Sequence, residues 1–568
     1  MTTAPRWRVV GRGEGGAITV VDLDRNGDRL AVHAFDDDAF RRAVAADAEA
    51  TRWVWHDTRW WYRMLLDAGI RISRCHDLRL SHAILRTSAW ADAPALRAAR
   101  GWDAGGPLEE AGPQALFDLD GGDVPVLPES LDEVLAEFER QREAVTASPQ
   151  RARLELLLAA ESAGALVAEE LHAAGVPWSR EVHAGILDAT LGPRPLAGGV
   201  PARIAELGAV VRAALGDDRA SLDSQPKLLR ALHRAGVPAT STNRWELAEY
   251  DHPVIAPLLE YKKLTRLASA NGWAWLEEWA PAGRFRPVYV PGGVVTGRWA
   301  SSGGGALQLP RQLRPAVRAD PGWTLVVADV AQLEPRVLAA MAGDTALAAA
   351  ARGTDLYAGM VGEGVVTSRQ EAKIAMLGAM YGATTGDSGR LVPALRRAYP
   401  RAMGLVDEAA AVGEAGGVVT TWLGRSSPAP GSGWQRVQQE ASGADASAAD
   451  ETRARRSARD RGRFTRNFVV QGSAAEWALA WLADLRTRLA ALPVADAPAP
   501  ASGPVFAARA HLAFFLHDEI IVHAPQEQAE AVAVAVREAA DAATRLLFGG
   551  FPLDFPLDLQ IRADAAKG

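Results

Sequence analysis

The residues of this chain best placed to do chemistry are carboxylates set into apolar sequence. In the run Phe514-Phe515-Leu516-His517-Asp518-Glu519-Ile520-Ile521-Val522 an acidic pair interrupts aromatic and β-branched side chains. Burying such a pair is costly unless something positive binds it, and a divalent metal is the usual partner. A second segment has the same character: Thr324-Leu325-Val326-Val327-Ala328 runs into Asp329, with Glu334 and Arg336 just beyond. Two acidic strand ends can hold two hard cations about 3.5–4 Å apart, the arrangement that serves in-line phosphoryl transfer. Between these segments Arg369, Lys373, Leu377 and Tyr381 recur every four residues and form one stripe of a predicted helix. Two cations followed by an apolar and an aromatic residue suit a ligand with a phosphate tail and a flat head, such as a nucleoside triphosphate. Only five of the 62 basic residues are lysine, which makes Lys373 on that stripe more informative. Each group also has a plainer reading. Asp518 and Glu519 fit an exposed hairpin, His517 a structural histidine, Arg369 and Lys373 a solvated helix face, and Glu334 with Arg336 a simple salt bridge.

Several elements must position these groups. Residues 17–36 alternate as strands, with Asn26-Gly27 a hairpin signal. Residues 50–95 mix a strand at Trp53-Val54-Trp55 with helical patterns, and 101–128, rich in Gly, Asp and Pro, read as a loop. Helical periodicity dominates 129–175 and closes at Ala174-Gly175-Val176-Pro177. Residues 151–290 read as largely helical, 291–345 as strands and 346–415 as helices. Residues 416–568 mix both, with loops at 427–434 and 493–504.

The 568 residues suffice for about three to four domain-sized units. Cys75 is the single cysteine, so no intrachain disulfide forms, which fits a reducing cytosol. The first residues lack an apolar signal core and no apolar run reaches ~18–20 residues, so a cytoplasmic protein without a membrane span is expected. The net charge of −7 does not itself point to nucleic acid. Local cationic surface matters more than the sum. The run Arg453, Arg455, Arg456, Arg459, Arg461, Arg463 and Arg466 before Asn467 is either a solvated helix face or a surface for a DNA backbone.

Taken in order, these segments resemble the family A DNA polymerases, the bacterial DNA polymerase I type. Asp329 to Arg336 is similar to the family's first palm motif, Arg369 to Gly382 to its fingers helix, and His517 to Glu519 to its second palm motif. Thr296-Gly297-Arg298 with Leu307-Gln308-Leu309-Pro310 resembles the stretch entering the palm. Asn467 and Gln471-Gly472 resemble the segment that touches the primer–template minor groove, and Ser224 to Leu229 and Glu260 to Leu267 resemble the thumb. The resemblance covers roughly residues 150–565.

It implies an α+β, right-hand fold of palm, fingers and thumb, preceded by a small α/β exonuclease-like (RNase H-like) domain. The implied boundaries are 1–150 for the exonuclease-like domain, 151–290 for the thumb, 291–345 for the first palm part, 346–415 for the fingers and 416–568 for the second palm part. It implies a template-directed DNA polymerase, a nucleotidyltransferase of replication or repair, with two Mg²⁺ ions that Mn²⁺ can replace. Asp329, Asp518 and the Val330 carbonyl would ligate metal, with Glu519 auxiliary. Arg369 and Lys373 would neutralise the triphosphate, and Lys373 would protonate pyrophosphate. Leu377, Tyr381, Glu334, Gln332 and Tyr357 would complete the nucleotide site. Arg298, Gln308, Asn467, Gln471, Arg463 and His517 would contact DNA. The expected partners are primer–template DNA and dNTPs, for a monomer at the nucleoid.

The departures are specific. Leu377 stands where the family has Phe or Tyr, Met376 where Asn is usual, Tyr357 for a histidine, Val330-Ala331 for Tyr-Ser and Pro335 for Leu. A leucine cannot stack on a sugar or base, so altered sugar discrimination or weaker nucleotide affinity is expected. In the N-terminal 150 residues Asp22-Leu23-Asp24 could mimic the first acid pair of a 3′–5′ exonuclease, but hairpin turn chemistry explains it better. Trp61 occupies the next aspartate position, Asp57 lies at the wrong offset, and no Tyr-x-x-x-Asp surrounds Asp132. A folded remnant without proofreading is expected, with Trp53, Trp55, Trp60, Trp61 and Tyr62 as core. A polymerase-shaped DNA-binding protein with little catalysis, an exonuclease, and an rNTP-incorporating polymerase are the competing readings.

Overall fold

The computed structural model describes residues 5–47, 51–103, 127–353, 355–382, 386–443 and 445–566. The chain divides into two compact units, one of 1–175, 288–303 and 321–562, the other of 176–287, 304–320 and 563–568.

The first unit begins with a five-stranded sheet. Its central strand Trp7–Arg12 pairs antiparallel with Ile18–Leu23, which pairs antiparallel with Arg29–Phe35; on its other side it runs parallel to Arg52–Trp55, and that strand to Cys75–Asp77. The expected hairpin at Asn26-Gly27 is present. Asp24 Oδ1 accepts the backbone N–H groups of Asn26, Gly27 and Asp28, and Gly27 takes φ +95°, which glycine adopts without a Cβ clash. Trp53, Trp55, Trp61 and Tyr62 are buried with Phe40, and Leu166 and Phe506 from later in the chain join the same core. Trp60 is the exception, 60% exposed. At 100° per residue it faces outward on the helix Thr58–Asp67, while Trp61, Tyr62, Leu65 and Leu66 face in.

The stretch 129–175 is two helices, Leu131–Ala147 and Arg151–Ala174, rather than one. Pro149 lies between them; it has no N–H to donate and disfavours helical backbone at Ser148, which is extended at ψ 135°. The second helix ends at Gly175, φ +68°. Of the loop expected at 101–128, residues 104–126 lie outside the described residues.

The remainder of the first unit is built on a four-stranded antiparallel sheet, in the order His511–Leu516, Glu519–Pro525, Trp323–Val330, Leu557–Arg562. The 43-residue helix Ala448–Ala490 and the helix Ala529–Phe548 pack together, and the latter packs on the sheet. Residues 291–345 hold fewer strands than expected. After Ala300–Gly303 and Trp323–Val330 the chain turns into the helix Leu333–Ala342, whose Pro335 sits in the first turn, where its missing N–H costs nothing. Helices then follow at Thr345–Ala350, Leu356–Gly362, Arg369–Tyr381, Gly386–Ala398 and Pro400–Glu414. The N-terminal sheet is tied into this unit by Arg486, buried on the long helix. It donates to Glu170 (2.7 Å) and to the carbonyl of Ser73 (2.8 Å).

The second unit is mainly helical, with Arg180–Leu191, Ala202–Leu215, Gln225–Arg234, Ile255–Asn271 and Trp273–Trp279. Among the described residues no helix is long and apolar enough to cross a membrane.

Candidate active site

The acidic centre is assembled by strand pairing. Leu516 pairs with Glu519, which leaves His517 and Asp518 as a two-residue turn with His517 at φ +56°. Asp329, next to last in Trp323–Val330, registers with Glu519 on one side and Asp558 on the other. The Val330 N–H donates to the Asp518 carbonyl at 2.9 Å. Burial first, and then the charge of Asp329, pushes the Asp518 carboxyl up to about 6. Burial and the nearby Arg298 guanidinium hold His517 down at about 4, so it is a neutral ring beside the acids. Among the described residues no three His, Cys, Asp or Glu side chains form a ready-made metal cluster. Asp518, raised by burial and by the charge of Asp329, fits a hard divalent cation, which takes one or two carboxylates and keeps several waters. Asp558 was not legible as part of this centre. The alternation Leu557-Asp558-Leu559-Gln560-Ile561 marked a strand, but only the register places that acid beside Asp329.

The turn after Asp329 carries the next groups. Gln332, at φ +49°, caps the helix Leu333–Ala342, and its side-chain oxygen accepts the Leu356 N–H at 3.3 Å. Glu334 does not pair with Arg336. It accepts from Arg298 and from the Tyr381 hydroxyl (2.6 Å). Two positions apart on a helix, Glu334 and Arg336 point to different faces. Arg336 is fully buried and donates to the carbonyls of Ala331 (2.9 Å), Ala351 (2.6 Å), Asp554 (2.8 Å) and Gly353 (3.2 Å). Arg298, expected to reach DNA, is committed to Glu334 here.

The stripe lies on the helix Arg369–Tyr381, capped by Ser368. Arg369 is paired with Asp355 at 2.6 Å and lies over the Tyr357 ring, 5.6 Å from its centroid. Lys373 is exposed and has no ion pair among the described residues. Leu377 is half-buried and Met376 fully buried on the inner face. Gly382 ends the helix at φ +72°, where a Cβ would also strike the Arg463 side chain.

On the long helix Gln471 stands next to the Tyr381 hydroxyl. The Asn467 Oδ1 is buried without a hydrogen-bond partner among the described residues. The arginine run is largely consumed within the protein. Arg453, Arg455 and Arg463 pair with acids one turn away, Arg461 holds the Gly417 and Pro428 carbonyls, and Arg466 holds the Ala379 carbonyl and Asp407. Gln308 belongs to the second unit, where its Oε1 accepts from Arg266 at 3.2 Å.

Gln332, Glu334, Tyr357, Leu377, Tyr381, Arg298, His517 and Asp518 therefore converge, with Ala474, Ala475, Ala478 and Leu479 of the long helix, on one cavity of about 220 Å³.

Around the N-terminal sheet, Asp22 and Asp57 are held in internal pairs. Asp22 is held by Arg8 (3.2 Å) and faces His33 (3.5 Å), while Asp24 closes its turn. Asp57 caps the helix Thr58–Asp67 and pairs with Arg79 at 2.9 Å. Asp132 is exposed in the first turn of Leu131–Ala147. At the carboxyl ends of the parallel strands, where open α/β sheets bind ligands, the Arg12 guanidinium lies 5.3 Å from the Trp61 ring centroid, and Trp61 Nε1 donates to His56 Nδ1 (3.1 Å).

Comparison with known proteins agrees with this geometry. Residues 202–565 match the family described as DNA polymerase family A. DNA polymerase I of Chloroflexus aurantiacus is 28% identical over 349 residues, 56% of this chain and 33% of that protein. The thermostable DNA polymerase I of Thermus aquaticus is 26% identical over 355 residues, 58% of this chain and 38% of that protein. The matched segment thus spans little more than a third of these relatives. The POL domain of Pol1 from M. smegmatis, solved in complex with DNA primer-template and dNTP, superposes with a TM-score of 0.68 over 97% of this chain and 93% of that one, at 16% identity. That likeness bears on the fold, which is the α+β right-hand polymerase type preceded by a small α/β, RNase H-like domain. With a family match over most of its length, the chain belongs to DNA polymerase family A.

Proposed function

We propose that the chain is a template-directed DNA polymerase that adds dNTPs to a primer 3′-hydroxyl, without proofreading. The observation that carries this reading is Asp518, which feels the charge of Asp329 and lines one cavity with Leu377 and Tyr381 of the fingers helix. Mg²⁺, or Mn²⁺ in its place, would be held by Asp329, Asp518 and the Val330 carbonyl with Glu519 nearby, and would supply the acidified primer hydroxyl and charge neutralisation on the phosphates. Lys373 neutralises the triphosphate and gives pyrophosphate its proton. Arg369 joins it when released from Asp355. Glu334, held by Arg298 and Tyr381, walls the sugar pocket, and Gln471, Asn467, Arg463, His517 and Gln308 face DNA. The domain assignments are 1–150 exonuclease-like, 151–290 thumb, 291–345 and 416–568 palm, and 346–415 fingers; the compact helical unit beginning at 176 supports the body of the thumb.

Absence of proofreading is supported by Trp61 at a position where the family has an aspartate, and by the ties of Asp22 to Arg8 and of Asp57 to Arg79. Leu377 favours a second reading within this one: weakened choice between deoxyribose and ribose. Repair or gap filling by a monomer, at the nucleoid, is the role we infer.

The test is extension of a labelled primer–template hairpin with Mg²⁺, with dNTPs and rNTPs supplied separately. The wild type should extend and Asp518→Ala should not. Tight hairpin binding without extension by the wild type would instead support a silent DNA-binding relative. Shortening of a 3′-labelled single strand without dNTPs, abolished by EDTA, would overturn the loss of proofreading.

A further inference from the structure

The cavity beside Asp518 contains one polar group that the proposed chemistry leaves idle. Glu334 already accepts from Arg298 and Tyr381. Tyr357 is only 6% exposed and lines the same cavity, yet among the described residues its hydroxyl has no hydrogen-bond partner. Its backbone and one ring face are both held. Asp355 accepts the Tyr357 backbone N–H at 3.0 Å, and Arg369 covers the ring face at 5.6 Å. The phenol thus has a preset position, and burial, which pushes it up to about 12, keeps it neutral and able to donate or accept.

An ordered hydroxyl that faces the cavity without a protein partner is left to water until a ligand takes it, and sites that bond a ligand hydroxyl discriminate strongly against ligands that lack it. The cavity, about 220 Å³, is smaller than the ~300–1,000 Å³ of a pocket for a whole small molecule, so it takes part of a nucleotide. Leu377 gives it an apolar side without a flat ring, and Glu334 a charged one. Between the apolar wall of Leu377 and the polar wall of Glu334, a saturated ring bearing hydroxyls has partners for both its carbons and its oxygens. We propose that Tyr357 determines sugar specificity by hydrogen-bonding a hydroxyl of the incoming nucleotide's sugar. This rests on the polymerase reading above.

The experiment compares the wild type with Tyr357→Phe, which removes only the oxygen. Single-nucleotide insertion is measured with dNTP, ddNTP and rNTP. Equilibrium binding of the same nucleotides to the complex with a dideoxy-terminated primer is measured in parallel, so that a slow variant is still read. If the 3′-hydroxyl is the partner, Tyr357→Phe lowers the preference for dNTP over ddNTP about five-fold; if the 2′-hydroxyl is the partner, the rNTP-to-dNTP ratio falls by a similar factor. Both ratios staying within about two-fold of wild type, in insertion and in binding, would overturn the assignment while leaving the polymerase reading intact. A wild type that neither extends nor binds nucleotide would overturn both.

Discussion

The two cations of the fingers stripe are not equivalent at the residue scale. Arg369 spends its charge on Asp355 and its face on Tyr357, whereas Lys373 stands exposed without an ion pair among the described residues. A triphosphate gains the full charge of Lys373, but gains Arg369 only after the break of an existing pair. Lys373→Ala is therefore expected to lower kcat/KM for dNTP insertion about 10²–10³-fold, the magnitude typical of a lost charge-stabilising donor. Arg369→Ala should cost nearer ten-fold, because the guanidinium must give up Asp355 before it reaches the triphosphate. Single-turnover extension measures both, and equal losses would show that Arg369 is as available as Lys373. Arg336 teaches a related lesson. It carries charge in a motif rich in catalytic groups, yet it is buried on carbonyl oxygens and acts as scaffold.

At the scale of elements, the site depends on close approach of the helix Pro400–Glu414 to the long helix Ala448–Ala490. Thr465 of the long helix donates to the Ala409 carbonyl at 2.7 Å, and a Cβ on Gly413 would collide with the Thr465 side chain. Gly413→Ala must push the helices apart, at an expected cost of about 1–3 kcal/mol, seen as a lowered unfolding midpoint. Adding Thr465→Ala should restore part of it; a fully additive pair would mean that the contact is not the cause. The same long helix carries Gln471 and, through Arg466, grips the Ala379 carbonyl near the end of the fingers helix. Loosening that packing should therefore lower insertion as well as stability.

At the scale of the whole molecule, buried polar groups connect segments far apart in sequence. Glu476 on the long helix accepts from Thr421 and from the Leu423 N–H (2.9 Å), and Arg425 of that loop pairs with Glu161 at 2.7 Å. Burial pushes the Glu476 carboxyl up to about 7, from an ordinary value of 4.5. Between those values the folded chain holds a proton that the unfolded chain has lost, so this group makes stability fall as pH rises from about 4.5 to about 7, and the loss persists above. Glu476→Gln should flatten that part of the profile and leave the protein at least as stable as wild type at pH 8. Thermal unfolding between pH 5 and 8 reads this, and an unchanged slope in the variant would assign the pH dependence to other groups.

The sequence by itself determined the local elements and the identity of the reacting groups. The hairpin at Asn26-Gly27, the helix spanning Arg369 to Tyr381 and the apolar strands leading to Asp329 and away from Asp518 are set by turn chemistry and periodicity, which act over a few residues. The break at Pro149 was equally local but hidden by continuous helical periodicity on both sides. Other features depended on tertiary structure because they arise from register and burial between distant segments. Strand pairing put Asp558 beside Asp329, the helix axis turned Arg336 inward and Glu334 toward Arg298, and packing consumed most of the arginine run in internal pairs. A charge in a sequence shows that an interaction is available, but which partner takes it depends on what the fold brings within a few ångströms.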